Sequence, residues 1–335
     1  MKFSLSLLIV VAVLSFTKAD DFDYRYQSKW YDVNDQCSYN RQSPIELSSE
    51  EAVITGDIPA LRFYNYNLTY TKPVVASNNG HTANLQLPKP DGYIDSLWQI
   101  YDRFLPTISG GLLLDARFVT ESVHFHWGSK DTHGSEHVIN NQRYSMEMHI
   151  LHRNTKYQTV EEAKKHTDGL AVLAVFYHVK PNQLTAFKGL EHIIDALVAI
   201  KEFNHSAQIA NFTLSELLGD MSTSEFYTYQ GSLTTPPCSQ AVQWIVFPQV
   251  INISHNQIKR FRSLSDSHGE VLENNYRHLQ PKGARKVFYR QKHSLIDDVI
   301  SSPNFWSVMD KLKPQPWESS IIMKALTNSN NNNNN

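Results

Sequence analysis

The amino-acid sequence predicts a mainly β fold of the α+β class: a single domain with a large twisted, mostly antiparallel central sheet and a few peripheral helices. Short runs rich in β-branched and aromatic residues, interrupted by Gly, Pro and Asn, recur along the chain, and such runs are typical of strands. Helical periodicity is rare. No change in composition marks a linker between residues 20 and 290, which favours one domain over two.

Six segments carry the strand pattern, and one carries a strong helix pattern. The strands are predicted at 62–71, 82–87, 122–127, 145–152, 169–179 and 241–247. Apolar residues recur at helical spacing between residues 182 and 200, which predicts an amphipathic helix. The apolar stripe of this helix consists of Leu184, Phe187, Leu190, Ile194 and Leu197. Thr159 and Thr213, each followed three residues later by Glu, predict capping boxes of shorter helices.

The composition excludes one functional class. The chain has 335 residues, of which 41% are hydrophobic and 19% are charged, so it can bury a substantial core. Its formal net charge is −2, and no long run of one sign occurs. A nucleic-acid-binding protein usually presents a basic patch, so we expect no nucleic-acid partner.

The two ends of the chain predict export. Residues 1–19 combine a lysine near the start, an apolar run from Leu5 to Phe16 and small residues near Ala19, which is the pattern of a secretory signal peptide cleaved after Ala19. The apolar run is too short to span a bilayer. Residues 291–335 form a C-terminal extension, whose Asn-rich end predicts disorder and lacks the hydrophobic tail of a GPI signal. We therefore expect a secreted, extracellular protein without a membrane anchor, whose main domain spans 20–290.

The cysteines and the sequons agree with that compartment. Cys37 and Cys238 are the only cysteines in the sequence. An even number in an oxidising compartment suggests one disulfide bond, the alternative being two unrelated buried thiols. Four N-x-S/T sequons mark candidate glycosylation sites of a glycoprotein. They begin at Asn67, Asn204, Asn211 and Asn252.

The segment SVHFHWGS, residues 122–129, places two histidines in an apolar setting. Residues i and i+2 of a strand face the same side, so His124 and His126 present two imidazoles next to each other. Two ligands are too few for a metal ion. The segment SMEMHILH offers His149 and His152 as a third ligand; they lie on opposite faces of that strand, and both faces are apolar.

Glu147 favours His149 as the third ligand, because it is the same-face neighbour of His149. Metal-bound histidines usually donate their second N–H to an acceptor such as a carboxylate. Three histidines without a nearby thiolate are typical of catalytic zinc, whose fourth position is left for water. An H-x-H pair taken alone is equally compatible with core packing.

Several segments together resemble the α-class carbonic anhydrases of the secreted type. SVHFHWG, GSEH at 134–137 and MEMHILH resemble the zinc-binding segments of that family. The resemblance covers residues 22–290 and includes, in the family's order, RQSPIEL (41–47), NNGHTANL (78–85), GLAVLAVFY (169–177), YQGSLTTPPCSQAVQWIVF (229–247) and NNYRHLQP (274–281). It implies one domain built on a large twisted, mainly antiparallel sheet, with zinc at the floor of a conical cavity.

The resemblance also implies roles for individual residues. The family's zinc ligands match His124, His126 and His149. Glu147 matches the acceptor behind the third ligand. Thr234 matches the threonine that accepts a hydrogen bond from zinc-bound hydroxide and donates its own proton to a carboxylate, which here is Glu136. A carboxylate only accepts, so this arrangement orients the hydroxide.

A proton path and a substrate pocket follow from the same resemblance. His81 matches the family's proton shuttle, and Asn79 and Asn84 match polar residues that order the intervening water. Thr234 and Thr235 belong to the implied substrate-binding site. The apolar wall on which carbon dioxide rests matches Leu151, Val172, Leu233, Val242 and Trp244.

The implied activity is the reversible hydration of carbon dioxide to bicarbonate and a proton by attack of zinc-bound hydroxide. The chain is accordingly expected to be a lyase (carbonate dehydratase) with Zn²⁺ as its cofactor and carbon dioxide and bicarbonate as its small-molecule partners. Cys37 and Cys238 match the disulfide of the family's secreted and membrane-exposed members.

Three positions depart from the family pattern, and none of them removes a ligand. Ser122 occupies the place of a glutamine that supports the first zinc ligand. Serine is shorter, so we expect its hydrogen bond to His124 to be lost or to pass through water. Phe22 and Tyr276 each stand where a tryptophan is common.

The alternative function is that of a non-catalytic member of the same family, associated with the extracellular matrix or with mineral. Such relatives lose a zinc histidine, whereas all three are present in this sequence. The six terminal asparagines carry no charge with which to bind calcium. Both observations favour the enzyme.

Overall fold

A computed structural model describes residues 22–89, 105–180, 182, 185–292, 295–303 and 305 of the chain. The predicted signal peptide, the Asn-rich end and Leu184 lie outside these residues. Within the described ranges, no helix is both long enough and apolar enough to cross a membrane.

Strands dominate the secondary structure. They are β1 Glu46–Leu47, β2 Val53–Thr55, β3 Leu61–Tyr64, β4 Val74–Asn78, β5 Ala83–Gln86, β6 Thr107–Gly110, β7 Phe118–Trp127, β8 Val138–Ile139, β9 Met146–Asn154, β10 Leu170–Val179, β11 Ser206–Ile209, β12 Phe226–Gly231, β13 Val242–Ile253 and β14 Phe288–Arg290. The α-helices of the described ranges are α1 Trp30–Val33, α2 Val160–Ala163, α3 Glu191–Ala199, α4 His255–Phe261 and α5 Leu295–Ser301. Short 3₁₀ helices occupy Tyr24–Lys29, Asp35–Ser38, Gly111–Leu113, Lys188–Leu190 and Leu214–Leu217.

Twelve strands form one large twisted sheet. Its main path runs β11-β4-β5-β7-β9-β10-β13-β12-β14-β2, and β6 joins β3 to β7 beside this path. The β10–β13 and β14–β2 ladders are parallel, and the other ladders of this sheet are antiparallel. β1 and β8 form a separate parallel pair. The predicted mainly β fold with a large, mostly antiparallel sheet is confirmed.

The two faces of the central strands have different surroundings. On β10, alternate residues enter two apolar clusters on opposite sides of the sheet, as the period of two for strand side chains requires. On β7, Val123, Phe125 and Trp127 enter one cluster, and His124 and His126 point to the other side. The apolar neighbours of these two histidines in the sequence therefore belong to the opposite face of the sheet.

The amphipathic helix is shorter than the sequence predicts. It begins at Glu191, after a 3₁₀ turn, and not at residue 182. Phe187 is extended, because the side-chain amide of Gln257 hydrogen-bonds both its N–H and its carbonyl, at 2.9 and 2.8 Å. A Cβ atom on Gly189 would lie 2.0 Å from the carbonyl oxygen of Glu216, so the turn before α3 packs closely enough to require glycine at this position.

Other local predictions were confirmed in part. Thr159 caps α2, since its hydroxyl accepts a hydrogen bond from the N–H of Glu162 at 3.1 Å. Thr213 forms no side-chain cap; only a 3₁₀ helix follows it, and its hydroxyl lies 3.2 Å from that of Thr69. The strand predicted at 62–71 ends at Tyr64, because Asn65 has φ of 60° and leaves the β region.

The N-terminal segment is anchored beside a disulfide bond. Cys37 and Cys238 are bonded, which confirms the predicted disulfide and closes a separation of 201 residues. Chain-entropy reasoning gives such a long loop a stabilisation of up to about 5 kcal/mol. Trp30 packs against both cysteines, and Phe22 and Tyr24 pack on this cluster.

Part of the C-terminal extension is folded. After β14, helix α5 lies against the sheet, and buried Arg290 donates to the carboxylate of Asp297 at 3.2 Å. Arg290 also donates to the carbonyl of Ile58 at 2.9 Å. The extension is therefore tied to the sheet through a residue that itself belongs to a strand.

Candidate metal centre

Three imidazoles meet where β7 and β9 lie side by side. His124 is directly opposite His149 in the antiparallel register. Nδ1 of His149 lies 3.0 Å from Nε2 of His126 and 3.2 Å from Nε2 of His124. The predicted trio is thus brought together. His152 lies on the other face of β9, where Nε2 is hydrogen-bonded to the hydroxyl of Tyr66.

In two of these rings, the nitrogen that points away from the other imidazoles lies close to a hydrogen-bond acceptor. Nδ1 of His126 lies 2.7 Å from the carbonyl oxygen of Asn275, and Nε2 of His149 lies 2.7 Å from Oε1 of Glu147. A neutral imidazole has one N–H, and here the acceptor behind each ring takes it. The two nitrogens that face each other at 3.0 Å therefore both present lone pairs.

Protonation of one nitrogen would remove the repulsion between these lone pairs, but burial opposes a positive charge on all three rings. It lowers the pKa of His126 to about 4, and it lowers the pKa values of His124 and His149 as well. Converging lone pairs on neutral nitrogens fit a bound cation. The donor set, three imidazole nitrogens whose ligand atoms lie within 4.8 Å of one another, suits zinc.

Glu147 is the hub of the hydrogen bonds behind His149. Its Oε1 also lies 2.6 Å from Nδ1 of His137, and its Oε2 accepts from the backbone N–H groups of Glu136 and His137, both at 2.8 Å. Burial works to raise the pKa of Glu147, but attraction and hydrogen bonds from His137 and His149 hold it well below its usual range. An ionised Glu147 fixes which nitrogen of His149 carries the proton.

Glu136 presents a second buried carboxylate to the centre. Its Oε1 accepts from the backbone N–H of Arg277 at 2.7 Å. Its Oε2 has no regular hydrogen bond among the residues that the structure describes, and it lies 3.5 Å from Nε2 of His126. Burial raises the pKa of Glu136 to about 7, against the opposing effects of His149 and of the nearby Thr234 hydroxyl. This unpaired oxygen beside the histidines is available to a proton donor.

The loop that carries Thr234 is closed by local hydrogen bonds and by the disulfide. The N–H of Leu233 donates to the carbonyl of Ser239 at 3.0 Å, and the N–H of Cys238 donates to the carbonyl of Thr235 at 2.8 Å. Thr234 is buried at the centre of this loop. Its hydroxyl is close enough to Glu136 to stabilise the ionised carboxylate.

The predicted apolar wall forms one continuous surface across three strands. Val172 on β10 is opposite Leu151 on β9 and Trp244 on β13. The same apolar cluster also contains Val242 and Leu233. The ring of Trp244 meets that of His149 edge to face at 4.8 Å, so the wall borders the metal centre.

A cavity of about 350 Å³ opens over the centre and connects it with the predicted proton path. Its lining includes His124, His126 and His81. The other lining residues are Phe22, Tyr24, Asn79, Thr82, Asn84, Thr235 and Pro236. The cavity thus brings two of the three histidines together with the residues of the predicted proton path and with Thr235, whereas His149, Thr234 and the apolar wall are not part of its lining.

Sequence comparisons decide the family. A sequence model described as eukaryotic-type carbonic anhydrase matches residues 25–291 of this chain. The chain belongs to this family. It is 34% identical over 267 residues to carbonic anhydrase 6 of Mus musculus, covering 78% of this chain and 77% of that protein. It is 32% identical over 273 residues to carbonic anhydrase 12 of Homo sapiens (78% and 70%) and 30% identical over 317 residues to carbonic anhydrase 15 of Mus musculus (90% and 93%).

Two residues of this carbonic anhydrase were missed by the sequence reasoning. Asn275 presents its carbonyl to His126, and its side-chain amide donates to the carbonyl of His81 at 2.9 Å. Buried Arg277 donates to the carbonyls of Cys37 and Ser43, at 3.0 and 2.9 Å, besides holding Glu136. Both lie in NNYRHLQP, a segment that was quoted for its resemblance but was given no role.

Ser122 leaves His124 less supported than the other two rings of this carbonic anhydrase site. The structure shows no hydrogen bond between Ser122 and His124, both within its described ranges. Tyr276, the other departure near the site, is half-buried, and its carbonyl accepts from the side chain of Gln27 at 3.0 Å.

The four sequons differ in accessibility. The side chains of Asn204, Asn211 and Asn252 are exposed. Asn67 is half-buried, and its Oδ1 is buried without a hydrogen bond among the described residues. The sequons at Asn204, Asn211 and Asn252 are therefore more accessible to glycosylation than the one at Asn67.

Proposed function

We propose that this carbonic anhydrase is an active, zinc-dependent lyase that catalyses the reversible hydration of carbon dioxide to bicarbonate and a proton. The observation that supports this most strongly is the pair of lone-pair nitrogens on His126 and His149, 3.0 Å apart and each backed by an acceptor. Buried imidazoles in that arrangement are suited to metal binding and are poorly suited to a role in core packing alone.

His124, His126 and His149 are the proposed zinc ligands. When bound, zinc supplies Lewis acidity, which is known in carbonic anhydrases to bring the pKa of a coordinated water to about 7. The chain's own contribution is to keep the three rings neutral and fixed. Glu147 and the Asn275 carbonyl hold the two N–H groups away from the centre.

Thr234 and Glu136 are proposed to orient the reacting water. In its ionised form, Glu136 accepts hydrogen bonds only, so the adjacent Thr234 hydroxyl donates to it. The Thr234 oxygen is then left as an acceptor towards the centre. The water must direct its own O–H to Thr234, which turns a lone pair towards the substrate. Thr235, which lines the cavity, completes this side of the proposed substrate site.

The apolar wall is proposed to receive carbon dioxide, which carries no net charge. Leu151, Val172 and Trp244 provide a surface beside His149 that excludes water, and Leu233 and Val242 extend it. Such a surface lets the substrate approach without displacing strongly held water.

His81 is proposed to carry the product proton out of the cavity. An acid of pKa near 7 that releases its proton only to bulk water is limited by recapture to about 10³ s⁻¹, given a diffusional ceiling near 10¹⁰ M⁻¹s⁻¹. Histidine has an unperturbed pKa that suits both the uptake and the delivery of this proton. Asn79 and Asn84, which line the same cavity, are proposed to order the water between the centre and His81.

The proposed compartment is extracellular. Cleavage of a signal peptide after Ala19 and glycosylation at one or more of the exposed sequons are parts of this proposal, and the Cys37–Cys238 disulfide supports it. Mass analysis of the protein secreted by expressing cells would determine both the new N-terminus and the attached glycans.

The function is tested by measuring zinc content together with carbon dioxide hydration in a stopped-flow instrument, with and without a sulfonamide inhibitor. We expect one zinc ion per chain and hydration that the sulfonamide suppresses. Stoichiometric zinc without hydration would support the non-catalytic alternative, and absence of zinc after growth in zinc-supplemented medium would contradict the ligand assignment.

A further inference from the structure

The large sheet ends at β11, whose outer side pairs with no strand within the described ranges. On its inner side β11 pairs antiparallel with β4, and the N–H of Asn78 donates to the carbonyl of His205 at 3.0 Å. Backbone groups alternate in direction along a strand, so Ser206 and Gln208 direct their N–H and carbonyl groups away from β4. β11 therefore carries a free backbone edge.

This edge lacks the residues that usually protect an exposed strand. From Phe203 to Ser215 the sequence contains no Lys, Arg, Asp, Glu or Pro. Ser206 and Gln208 are exposed. An unprotected edge is a template for pairing with another chain, and native proteins usually blunt such edges with charges, proline or bulges. Two copies of β11 would meet without electrostatic repulsion.

A sequon stands at each end of β11. Asn204 lies two residues before the strand, and Asn211 lies two residues after it. Both side chains are exposed, and both residues have positive φ, 63° and 54°. Asparagine tolerates this left-handed conformation, which occurs in turns. The two acceptor side chains thus belong to the turns that enter and leave the edge strand.

Both turns are anchored to neighbouring segments. The N–H of Asn204 donates to the carbonyl of Asn78 at 2.8 Å, and the carbonyl of Phe212 accepts from the N–H of Tyr70 at 3.0 Å. A glycan attached to either turn would therefore be fixed at its base. A strand of four residues spans only about 13 Å, so a bulky glycan at each end would leave little room for a second strand.

The opposite edge of the sheet, β2, is built differently. It has three residues, of which Val53 and Ile54 are 45% and 57% exposed. Glu50 and Glu51 precede this strand and Asp57 follows it, and no sequon lies beside it. Charges therefore flank the apolar edge at β2, whereas sequons flank the uncharged edge at β11.

We propose that N-glycans at Asn204 and Asn211 shield the free edge of β11 and prevent it from pairing with the same edge of a second copy of this chain. This inference rests on the proposed extracellular compartment, in which sequons are glycosylated, and not on the proposed activity. Without the two glycans, two copies pair edge to edge about a two-fold axis, and Ser206 and Gln208 of each copy bond the backbone of the other.

The test removes both glycans and measures the mass of the folded, secreted protein by analytical ultracentrifugation. Asn204→Gly and Asn211→Gly are combined, because glycine keeps the positive φ of both turns. Over a series of micromolar concentrations, we expect the average mass of this double variant to rise up to twofold relative to the wild type. Asn252→Gln is the matched control, because it removes an exposed sequon on β13, and it should leave the mass unchanged apart from the lost glycan.

A charge introduced in place of the glycans tests whether the edge itself is responsible. Gln208→Lys in the double variant adds a charge within β11 and should return the mass to that of the unassociated chain. Hydrogen exchange of backbone amides provides a second readout. Residues 205–210 should exchange more slowly in the associated double variant than in the triple variant, because pairing occupies their free N–H groups.

Mass analysis of the wild type distinguishes failure of this inference from failure of the proposed compartment. Glycans at Asn204 and Asn211 together with an unassociated double variant would overturn the inference alone. Association that also occurs in Asn252→Gln, or that Gln208→Lys does not reverse, would overturn it as well, since the glycans would then act only as general solubilising groups. Absence of both glycans from the secreted wild type would overturn the inference and the proposed glycosylation of these two sequons together.

If the double variant fails to fold, the folded wild-type glycoprotein is trimmed with an endoglycosidase to a single sugar residue at each site. Association after trimming, reversed by Gln208→Lys, would support the shielding of β11, and a trimmed protein that stays unassociated would overturn it.

Discussion

His149 and His152 lie three residues apart on β9 and look alike by most measures. Both are buried, at 1% and 0% exposure, and burial lowers the pKa of each, that of His152 to about 3. They differ in what their nitrogens face. His149 points at two other imidazoles and has Glu147 behind it, whereas His152 lies on the opposite face and meets Tyr66.

The difference teaches that burial and a lowered pKa do not identify a metal ligand. What matters is the direction of the lone pair. Burial raises the pKa of Tyr66, so its hydroxyl keeps its proton, and this hydroxyl is hydrogen-bonded to Nε2 of His152. Nδ1 of His152 is buried without a hydrogen bond among the described residues. Nε2 of His152 therefore faces a hydroxyl of the fold, whereas the lone pair of His149 is directed at a point shared with His124 and His126.

The most direct test of the difference between His149 and His152 is to remove each histidine in turn. His149→Ala should abolish tight zinc binding and lower carbon dioxide hydration by more than about 10³-fold, since the proposed centre loses a ligand and its shape. His152→Ala should keep stoichiometric zinc and hydration, but it should lower the free energy of unfolding by about 2–4 kcal/mol because it leaves a cavity. Zinc content, stopped-flow rates and urea unfolding would be measured on both proteins.

Near-full zinc content and activity in His149→Ala would show that the assignment of the two faces is wrong, and His152 would become the next candidate ligand. Should His152→Ala fail to fold, His152→Gln fills the site with a polar group of similar size and serves the same purpose.

The second prediction concerns the pH dependence that His152 imposes. Its pKa is lowered from 6.5 to about 3 in the folded chain. Between these values the unfolded chain binds a proton that the folded chain does not, so the free energy of unfolding falls as the pH decreases. One proton gives a slope of about 1.4 kcal/mol per pH unit.

The measurement compares the wild type with His152→Gln by urea unfolding between pH 7 and pH 4, both in EDTA so that metal release does not contribute. The difference between the two proteins should change by about 1.4 kcal/mol per pH unit below pH 6. Parallel curves would mean that His152 is not held neutral by the fold.

The third prediction concerns the hydrogen-bond partners of the two rings, Glu147 for His149 and Tyr66 for His152. Glu147→Gln keeps the shape of the side chain but removes the charge that fixes His149, so zinc affinity should fall about 10–100-fold. Tyr66→Phe leaves Nε2 of His152 without its partner and should cost about 1–3 kcal/mol of stability, with zinc affinity unchanged. Chelator competition and urea unfolding separate the two effects. Weaker zinc binding in Tyr66→Phe would show that the faces are coupled.

The sequence allowed prediction wherever a periodic pattern carries the information. The period of two for strand side chains placed His124 and His126 together, and the same period placed Glu147 behind His149. The choice of His149 over His152 remained open on apolarity alone, because both faces of β9 are buried. The Glu147 spacing and the resemblance to carbonic anhydrases favoured His149, which the structure places beside His124 and His126.

Contacts made by backbone groups leave no such periodic pattern in the sequence. The carbonyl that supports His126 belongs to Asn275, 149 residues away, and every residue has a carbonyl. The start of α3 was misplaced for a similar reason: the side chain of Gln257 engages the backbone of Phe187 from a distant helix. Apolar periodicity alone does not report such tertiary competition.

The smallest expected effect tests the least supported of the three rings. His126 and His149 each have an acceptor behind them, whereas no hydrogen bond from Ser122 reaches His124 within the described chain. Residues 122 and 124 face the same side of β7, so a longer amide at position 122 comes within reach of the imidazole. Ser122→Gln should therefore slow zinc loss to a chelator by about 10-fold, the lower end of the usual range for such supporting groups.

Ser122→Leu is the matched control for this last change, because it adds similar bulk without a hydrogen-bonding group. Slower zinc release in Ser122→Gln but not in Ser122→Leu would assign the gain to a hydrogen bond with His124. Equal slowing in both would assign it to packing. Release at the wild-type rate in Ser122→Gln would show that the ring of His124 is already held as firmly as those of His126 and His149. Zinc retention would then not depend on whether a ligand ring has a hydrogen-bond acceptor behind it.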